Sequence, residues 1–423
     1  MRIIADLHIH SRYSRATSPR MNLKEISTWA RVKGIDLIGT GDFTHPAHFA
    51  SIEEELEPAG DGLFTLKGRS TEKDPPRFML TAEVSNIYKQ GDRTRKIHSL
   101  IFAPTIEAVR KMNAAFSGLG NINSDGRPIF GFSSQDLIKI VLDASADAML
   151  VPAHAWTPWF SVFGSRSGFD SIEECYGDYS KHIHAIETGL SSNPAMNWRV
   201  SALDGITLLS NSDAHSPSKL GREANVLDCP MSFFEIMDVI KKKDREKFLF
   251  TIEFYPEEGK YHADGHRDCG VVFTPAETLK AGGICPVCGG PLTVGVLSRV
   301  EKLADRPEGF VPDGAIPARH LVPLQEIISE VLAVGPNSVR VTKEYNRLTA
   351  EGGSEFAILL DMDEEELTRL AGEETARAVL KVRRGELNIS PGFDGQFGKV
   401  QIFSRGAGGA DIRPTGPSQI SLF

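Results

Sequence analysis

Histidine and carboxylate residues recur at the ends of short apolar segments in the first half of the chain. In chain order they are His8, His10, Asp42, His45, Glu83, His98, His154, Asp213 and His215, and Glu187 is a further carboxylate of the same kind. Imidazole and carboxylate are the ligands that zinc, manganese and iron accept. A single histidine in such a place is usually a packed loop residue, but so large a set predicts a metal centre.

The spacing of His8 and His10 points both rings to one face of a strand, so the two can share a metal. Nine ligands suit a cluster of two or three metals. Such clusters turn a bound water into a nucleophile near neutral pH and clamp phosphate oxygens, so the predicted reaction is phosphoester hydrolysis. We assign catalytic roles to Asp213 and Glu187, the latter as a support for the ligands. Amidohydrolase-type C–N hydrolysis, which also uses His-x-His, is the alternative chemistry; the richer Asp and His set favours the phosphoester.

A second cluster combines cysteine and histidine. His266-Arg-Asp-Cys269 is followed, fifteen residues later, by Cys285-Pro-Val-Cys288-Gly-Gly. This spacing is typical of a structural zinc site. His262 competes with His266 as the fourth ligand, and a redox cysteine pair is the alternative. Cys175 and Cys229 stand alone and are interpreted as buried small hydrophobes.

Short apolar runs alternate with helix-like stretches over residues 1–256, which predicts an α/β fold with a parallel sheet closed as a TIM-like barrel. The predicted strands are MRIIADLH, GIDLIGTGD, RFMLTAEV, KIHSLIFAP, DAMLVPAH, HAIETGL, GITLLSNSD and FLFTIEF. The predicted helices are NLKEISTWARVKG, TIEAVRKMNAAFSG, SSQDLIKIVLDASA and FFEIMDVIKKKDREK, of which the third is capped by Ser133 or Ser134. In such a barrel, chemistry lies at the carboxyl ends of the strands.

The remainder of the chain changes character. Residues 257–300 predict a small zinc module, residues 301–403 a mostly helical domain, and residues 404–423 a flexible tail. The 423 residues suit two or three domains, and the net charge of −9 argues against a protein coated by nucleic acid but allows a local basic patch. No run of eighteen apolar residues occurs and the N-terminus lacks a secretory pattern, so we expect a cytoplasmic protein and no membrane contact.

Basic and aromatic residues lie in loops beside the predicted ligands. The basic ones are Arg12, Arg15, Arg20, Lys219 and Arg222, and the aromatic ones are Trp156, Trp159 and Phe160. Loops next to a metal centre favour phosphate contacts for the first set. The aromatic residues could stack on an unpaired or flipped base, or they could pack under their own loop.

The ligand set resembles the polymerase-and-histidinol-phosphatase (PHP) family, whose pattern is His, His, Asp, His, Glu, His, His, Asp, His. The resemblance covers residues 1–256 and implies a distorted TIM-like barrel. It also implies an active site with two or three Zn²⁺, Mn²⁺ or Mg²⁺ ions. One departure is visible, because Asp42 and His45 are three positions apart where the family often has adjacent residues.

The order of PHP barrel, cysteine-rich module and helical region is similar to the endonuclease Q family. The motifs that carry the likeness are VPAHAWTPWF, ETGLSSNP, LLSNSDAHSP, KYHADGHRDC with CPVCG, and YNRL with GSEFAILL. The resemblance implies a DNA-repair endonuclease that cuts 5′ to deaminated bases (uracil, hypoxanthine, xanthine) or abasic sites, with residues 301–403 as a DNA-binding domain. A small-molecule phosphatase of the histidinol-phosphate type and a DNA-binding scaffold without catalysis are the alternatives. The zinc module speaks against the first and the complete ligand set against the second.

The last five residues are Gln419, Ile420, Ser421, Leu422 and Phe423, after a linker rich in Gly and Pro. They resemble the motif that binds the bacterial sliding clamp, with Gln419 at the edge of a groove and Leu422 and Phe423 in its pocket. A tail that folds back on the helical domain is the alternative. The expected partners are therefore damaged DNA, single- or double-stranded, and a sliding clamp, and we expect a monomer.

Overall fold

Strands and helices alternate through most of the chain, as the apolar pattern predicts. The structure, a computed structural model, describes residues 1–69 and 75–403. The strands are β1 (Arg2–Asp6), β2 (Leu37–Gly39), β3 (Leu56–Pro58), β4 (Phe64–Leu66), β5 (Arg77–Gln90), β6 (Arg93–Ala103), β7 (Ile129–Phe130), β8 (Met149–Pro152), β9 (Ala185–Glu187), β10 (Thr207–Leu209), β11 (Ala224–Asp228), β12 (Phe248–Glu253), β13 (Asp264–His266), β14 (Val271–Phe273), β15 (Ala318–His320), β16 (Asn388–Ser390) and β17 (Lys399–Gln401).

The helices are α1 (Leu23–Lys33), α2 (Pro46–Glu55), α3 (Ile106–Leu119), α4 (Ser134–Ala144), α5 (Ile172–Tyr176), α6 (Pro194–Asn197), α7 (Phe233–Lys242), α8 (Pro275–Lys280), α9 (Val296–Leu303), α10 (Leu324–Leu332), α11 (Val339–Glu351), α12 (Glu364–Ala371) and α13 (Glu373–Arg384). Ser133 rather than Ser134 caps α4. Its side chain accepts a hydrogen bond from the backbone N–H of Asp136, whose carboxylate in turn accepts from the N–H of Ser133. None of the described helices is long and apolar enough to span a membrane.

The sheets mix parallel and antiparallel pairs. β1 pairs with β2, β2 with β5, and β9 with β10 in parallel, whereas β1 with β11, β5 with β6, and β6 with β8 are antiparallel. The α/β class is therefore confirmed, but the expectation that all strands are parallel is corrected. Among the described strands, hydrogen bonding closes no ring and β9 and β10 make a sheet of their own, so the PHP-type barrel stays a prediction. Long strands joined by tight turns, such as β5 and β6, must run antiparallel.

A continuous apolar core supports these strands. It joins one face of β1, β6 and β8 to helix α7, with Ile3, Leu100, Val151, Phe233 and Ile240 all fully buried. Each such side chain stabilises the fold by about 1.5–3 kcal/mol relative to leaving it in water. The polar residues at the strand ends are therefore held by a rigid scaffold.

The described residues form two compact units. The first comprises residues 1–31, 35–251 and 302–316, and the second comprises residues 32–34, 252–301 and 317–403. The cysteine-rich segment and the helical segment thus share one unit, and residues 302–316 pack with the strands that precede them. The predicted division at residues 256 and 300 differs from this grouping, because packing follows contacts rather than changes in composition. Whether the segments act as separate functional domains stays a prediction.

Candidate metal centre

His8, His10 and Asp213 form the first group of candidate ligands. The two histidines follow the end of β1, and Asp213 follows β10; the loops are joined by a parallel bridge between Ile9 and Ala214. One carboxylate oxygen of Asp213 lies 3.1 Å from Nε2 of His10 and 3.6 Å from Nε2 of His8. Sequence spacing paired the two rings correctly, since both present Nε2 to the same point.

Glu83, His98 and His154 form the second group. Glu83 lies on β5 and His98 on β6, where Glu83 faces Leu100 and His98 faces Ser85 in the antiparallel register. Diagonal neighbours of this kind share one face of the sheet. Oε1 of Glu83 lies 2.8 Å from Nδ1 of His98 and 3.1 Å from Nε2 of His154, and the two ring nitrogens are 3.3 Å apart.

Glu83 also reaches the first group. Its other oxygen, Oε2, lies 3.2 Å from Nε2 of His10 and 3.7 Å from Nε2 of His8. One carboxylate therefore faces both groups, one oxygen toward each. A carboxylate placed in this way could supply one oxygen to an ion in each group.

The donor set fits metal ions. A tetrahedral ion with bonds of 2.0–2.1 Å separates its ligand atoms by about 3.4 Å, close to the distances within both groups. Nε2 of His8, Nε2 of His10 and Oδ1 of Asp213 are buried, and none makes a well-directed hydrogen bond with a described residue. Buried polar atoms are normally hydrogen-bonded, so three converging exceptions indicate a ligand.

Glu187 and Asp42 orient the histidines of the first group. Glu187 accepts from Nδ1 of His8 at 3.0 Å, from the backbone N–H of His154 at 2.8 Å and from Asn211 at 3.1 Å. Asp42 accepts from Nδ1 of His10 at 3.0 Å. A carboxylate on Nδ1 fixes the tautomer in which Nε2 is free to bind a metal.

Three predicted ligands lie outside both groups, and their assignment as ligands stays a prediction. The carboxylate of Asp42 is occupied by His10, by both hydrogen-bond donors of Ser11 and by Ser14. His45 directs Nε2 to the backbone carbonyl of Asn123. His215 packs its ring 4.4 Å from that of His10 and directs Nδ1 to the backbone of Asp213. Among the described residues, six of the nine predicted ligands thus form two groups of three.

The charges of the centre follow from this packing. Burial would raise the pKa of Glu83, but His98 and Arg127 together lower it well below its usual range. Burial also disfavours a charged His8, yet Glu187 and Asp213 raise the pKa of that ring. Glu83 is therefore ionised and can bind a cation.

The backbone of the centre is held in an uncommon conformation. Asp42, His154 and Asp213 have positive φ angles of 45°, 29° and 47°. Such angles cost free energy in residues other than glycine and cluster at functional sites. Gly189 allows one of them, because a Cβ there would lie 2.6 Å from the Cβ of His154.

The aromatic loop after His154 divides into buried and exposed residues. Trp156 is 1% exposed and donates to Asn197, so it is a core residue and its assignment to DNA is corrected. Trp159 is 51% exposed, with Nζ of Lys96 4.9 Å from its ring centroid. Phe160 packs its ring 4.7 Å from that of His98 and so supports a candidate ligand.

The predicted basic residues also differ in their surroundings. Arg222 donates to the backbone carbonyls of Ser212 and Asp213 and so supports the loop of a candidate ligand. Arg20 pairs with Glu25 at 2.6 Å. Arg12 and Arg15 are exposed, and Lys219 ends a short 3₁₀ helix. Arg12, Arg15 and Arg20 are all exposed, but Arg20 binds Glu25 through two nitrogens, whereas Arg15 lies 3.6 Å from Asp125.

Arg127 is a cation at the centre that sequence reasoning missed. Its Nη1 donates to Oε2 of Glu83 at 2.9 Å. It lies in the loop before β7, next to Asp125 and Gly126, where nothing in the spacing of histidines and carboxylates singled it out. A Gly-Arg-Pro turn in a polar loop was the available signal.

The cysteine-rich segment brings its four predicted ligands together. His266, Cys269, Cys285 and Cys288 form one group, and Nδ1 of His266 lies 3.5 Å from the sulfur of Cys288. The N–H of Gly290 points to that sulfur at 3.4 Å. His262 lies outside the group, which favours His266 as the fourth ligand. The clamp-motif residues Gln419, Ile420, Leu422 and Phe423 lie outside the described residues.

Comparison with protein families gave two curated relatives. "Uncharacterized protein YqxK" of Bacillus subtilis is 31% identical over 412 residues, which covers 95% of this chain and 99% of that protein. "Uncharacterized protein MJ0043" of Methanocaldococcus jannaschii is 33% identical over 259 residues, 59% of this chain but only 31% of that longer protein. The family model described as the MJ0043 C-terminal domain matches residues 323–386.

Two solved structures are similar over nearly the whole chain. The lesion-specific endonuclease PfuEndoQ from Pyrococcus furiosus has a TM-score of 0.84 and 33% identity, with 96% of both chains covered. A complex of endonuclease Q with a 27-mer duplex substrate, with an abasic lesion at the active site, has a TM-score of 0.81 and 33% identity, covering 96% of this chain and 97% of the other.

Proposed function

The chain belongs to the endonuclease Q family, and we propose that it hydrolyses the DNA phosphodiester on the 5′ side of a deaminated base or an abasic site. The observation that carries the proposal is Glu83, which faces two groups of metal ligands at once. A PHP-type active site with two metals accounts for that arrangement. The similarity to a structure of endonuclease Q in complex with an abasic duplex supports DNA as the substrate.

Some residues of the centre would bind the metal ions, and others orient those ligands. His8, His10, Asp213, Glu83, His98 and His154 would hold the ions. Bound there, metal ions would activate water and stabilise the oxygens of a phosphate during in-line displacement. Glu187 and Asp42 hold the rings of His8 and His10, and Phe160 holds that of His98. Zn²⁺, Mn²⁺ and Mg²⁺ are the candidates, and the expected products are a 3′-hydroxyl and a 5′-phosphate.

Trp159 is the proposed contact to an unpaired base. It is the exposed aromatic residue of its loop, and Lys96 lies against its ring. Aromatic stacking on a base contributes about 1–3 kcal/mol and needs an accessible ring face. Arg12 and Arg15 are the proposed phosphate contacts of the neighbouring loop, because both are exposed.

The cysteine-rich group is proposed to bind one structural zinc ion. Zinc–sulfur bonds of 2.3 Å and zinc–nitrogen bonds of about 2.0 Å place sulfur and nitrogen about 3.5 Å apart, as His266 and Cys288 are. The module has little apolar core of its own, since Val272, Leu279 and Val287 are exposed. Zinc would therefore supply much of its folding free energy.

Strand-specific cleavage of defined duplexes tests the proposed function. Labelled duplexes with one uracil, one hypoxanthine, one abasic site or no lesion are incubated beside a generic phosphate ester. We expect nicking of the lesion strands alone, and Asp213→Ala should abolish it while DNA binding is largely kept. Turnover of the ester alone would instead indicate a phosphatase, and DNA retention without cleavage would indicate a scaffold. Full cleavage by Asp213→Ala with normal metal content would contradict the assignment of that ligand.

The C-terminal residues 419–423 are proposed to bind a bacterial sliding clamp. A tethered nuclease gains local concentration on DNA without new contacts to the lesion. Deleting these residues should leave cleavage of a short oligonucleotide unchanged and abolish clamp binding in a pull-down. Equal clamp binding, or a loss of thermal stability, would instead indicate a structural tail. The monomeric state and cytoplasmic location stay predictions.

A further inference from the structure

Arg127 places a cation against Glu83, the carboxylate that both ligand groups share. Its Nη1 donates to Oε2 at 2.9 Å, the same oxygen that faces Nε2 of His10 at 3.2 Å. The side chain of Arg127 is 28% exposed, whereas that of Glu83 is fully buried. The guanidinium therefore lies at the border between the buried ligands and solvent, where a substrate must arrive.

The loop that carries Arg127 is held on several sides. The backbone N–H of Arg127 donates to Asp125 at 3.1 Å, the N–H of Gly126 donates to the carbonyl of Tyr13 at 3.0 Å, and Thr44 donates to the carbonyl of Gly126 at 3.0 Å. A Cβ at Gly126 would lie 2.4 Å from the carboxylate of Asp42. Only glycine fits there, so the position of the next residue is set by the packing of the centre.

The guanidinium of Arg127 donates to Glu83 through one nitrogen, which leaves its other N–H groups for a further acceptor. Arginine has five N–H donors in a planar fork, and an arginine that serves only to neutralise a carboxylate usually binds it with two of them. Here one nitrogen of the guanidinium contacts Glu83, and no other side chain of the described residues accepts a hydrogen bond from the guanidinium. The opposite edge of the fork is available to a second anion.

The carboxylate of Glu83 has several possible positively charged partners. Its two oxygens already face four imidazole rings in addition to Arg127. When Glu83 acts as a ligand of metal ions, less of its charge is left to pair with the guanidinium. The anion that reaches this place during the proposed reaction is the DNA phosphate.

We propose that Arg127 binds a non-bridging oxygen of the phosphate that is cleaved, which makes it a catalytic residue. This inference rests on the proposed function. A fixed cation at the developing charge stabilises the transition state more than the ground state. Arg127→Gln should lower kcat on lesion duplexes by about 10²–10³-fold. The kcat of Arg127→Lys should lie between those of the wild type and Arg127→Gln, because lysine keeps the positive charge but lacks the planar guanidinium.

A binding experiment separates phosphate contact from support of Glu83. In the non-cleaving Asp213→Ala background, an abasic duplex carries either the normal phosphate or a neutral methylphosphonate at the scissile position. The neutral linkage should weaken binding about tenfold more with Arg127 present than with Arg127→Gln, which is the value of one charge-assisted hydrogen bond. Any contact of the metal ions to the phosphate contributes equally in both proteins. The matched control Arg110→Gln removes a surface arginine that pairs with Glu53 and should keep the full penalty for the neutral linkage.

Inorganic phosphate supplies a second test that needs no DNA. Titration calorimetry of the metal-loaded full chain should give a phosphate Kd about tenfold higher for Arg127→Gln than for the wild type, with equal metal content by mass spectrometry. If the wild type binds phosphate in this way but never cleaves lesion duplexes, the proposed function fails and the phosphate contact stands. Equal phosphate binding, a methylphosphonate effect of undiminished size in Arg127→Gln, or a loss of metal in that variant would overturn the inference.

Discussion

Replacing Glu187 with glutamine keeps the shape of a fully buried side chain and removes its charge. Glu187 accepts hydrogen bonds from His8, from the backbone of His154 and from Asn211, and both of its oxygens are used. Glutamine has one acceptor oxygen, so its NH₂ group must face a donor in either orientation. At least one buried donor then loses its partner, and His8 loses the anion that holds its tautomer.

The size of the effect follows from these contacts. A hydrogen bond to a charged group contributes about 1.5–3 kcal/mol. Loss of a carboxylate behind a metal-binding histidine lowers metal affinity about 10–100-fold, which corresponds to about 1.4–2.8 kcal/mol. Both routes give the same range, because they describe the same bond between Glu187 and Nδ1 of His8. We therefore expect Glu187→Gln to weaken metal binding by that factor.

The assay is a competition titration of Mn²⁺ against a chromophoric chelator. Mn²⁺ is suitable because carboxylate and imidazole groups bind it, whereas cysteine thiolates bind it poorly. The cysteine-rich group should therefore not contribute to the titration. The matched control is Glu53→Gln, which removes a carboxylate that pairs with Arg110 at the surface. The control should bind Mn²⁺ like the wild type. Thermal melting of the metal-free proteins reports any general loss of stability.

The result that would refute this reasoning is specific. If Glu187→Gln melts at a lower temperature but binds Mn²⁺ as tightly as the control, Glu187 is only a buried acceptor of the core. Its contacts to His8 and His154 would then have no role in positioning the ligands.

Three further predictions concern other parts of the chain. Cys285→Ser should lower the zinc content by about one ion per chain and lower the melting temperature, and unchanged zinc by mass spectrometry would exclude Cys285 as a ligand. Trp159→Ala should raise KM for lesion duplexes at constant metal content, and unchanged kinetics would remove Trp159 from the site. Trp156 is buried, so Trp156→Ala should instead lower the folding stability measured by urea unfolding by about 3–5 kcal/mol. Burial lowers the pKa of His262 from 6.5 to about 4, so the unfolded chain binds this proton first, and stability is lost as pH falls from 6.5 toward 4, by up to about 3 kcal/mol. His262→Gln should reduce the difference in unfolding free energy between pH 7 and pH 5, measured by urea unfolding. An unchanged difference would show that His262 is not the source of this pH dependence.

Residues close in sequence were predicted best. His8 and His10 converge on one point because two residues on a strand or an extended segment share a face. Cys285 and Cys288 converge because a tight turn with glycine brings them together. These outcomes depend on local geometry, which the spacing of residue types determines.

The assignment of more distant ligands was less complete. Asp42 stands at the end of a strand, as the pattern predicted, but Ser11 and Ser14 hold its carboxylate, and it orients His10. Arg127 was overlooked because its partner, Glu83, is far away in the chain. Spacing shows which loop a side chain belongs to, but not which neighbours compete for it.

The sequence by itself determined the α/β class, the residue types of a metal centre, the cysteine-rich group and the resemblance to a repair endonuclease. Those properties depend on periodicity, on short spacings and on the chemistry of single side chains, which the chain carries before it folds. Only the tertiary structure decided that β5 and β6 run antiparallel, that Glu83 faces both ligand groups, and that Trp159 rather than Trp156 is exposed. These depend on contacts between segments distant in the chain, where packing and hydrogen bonding choose among several partners of suitable chemistry.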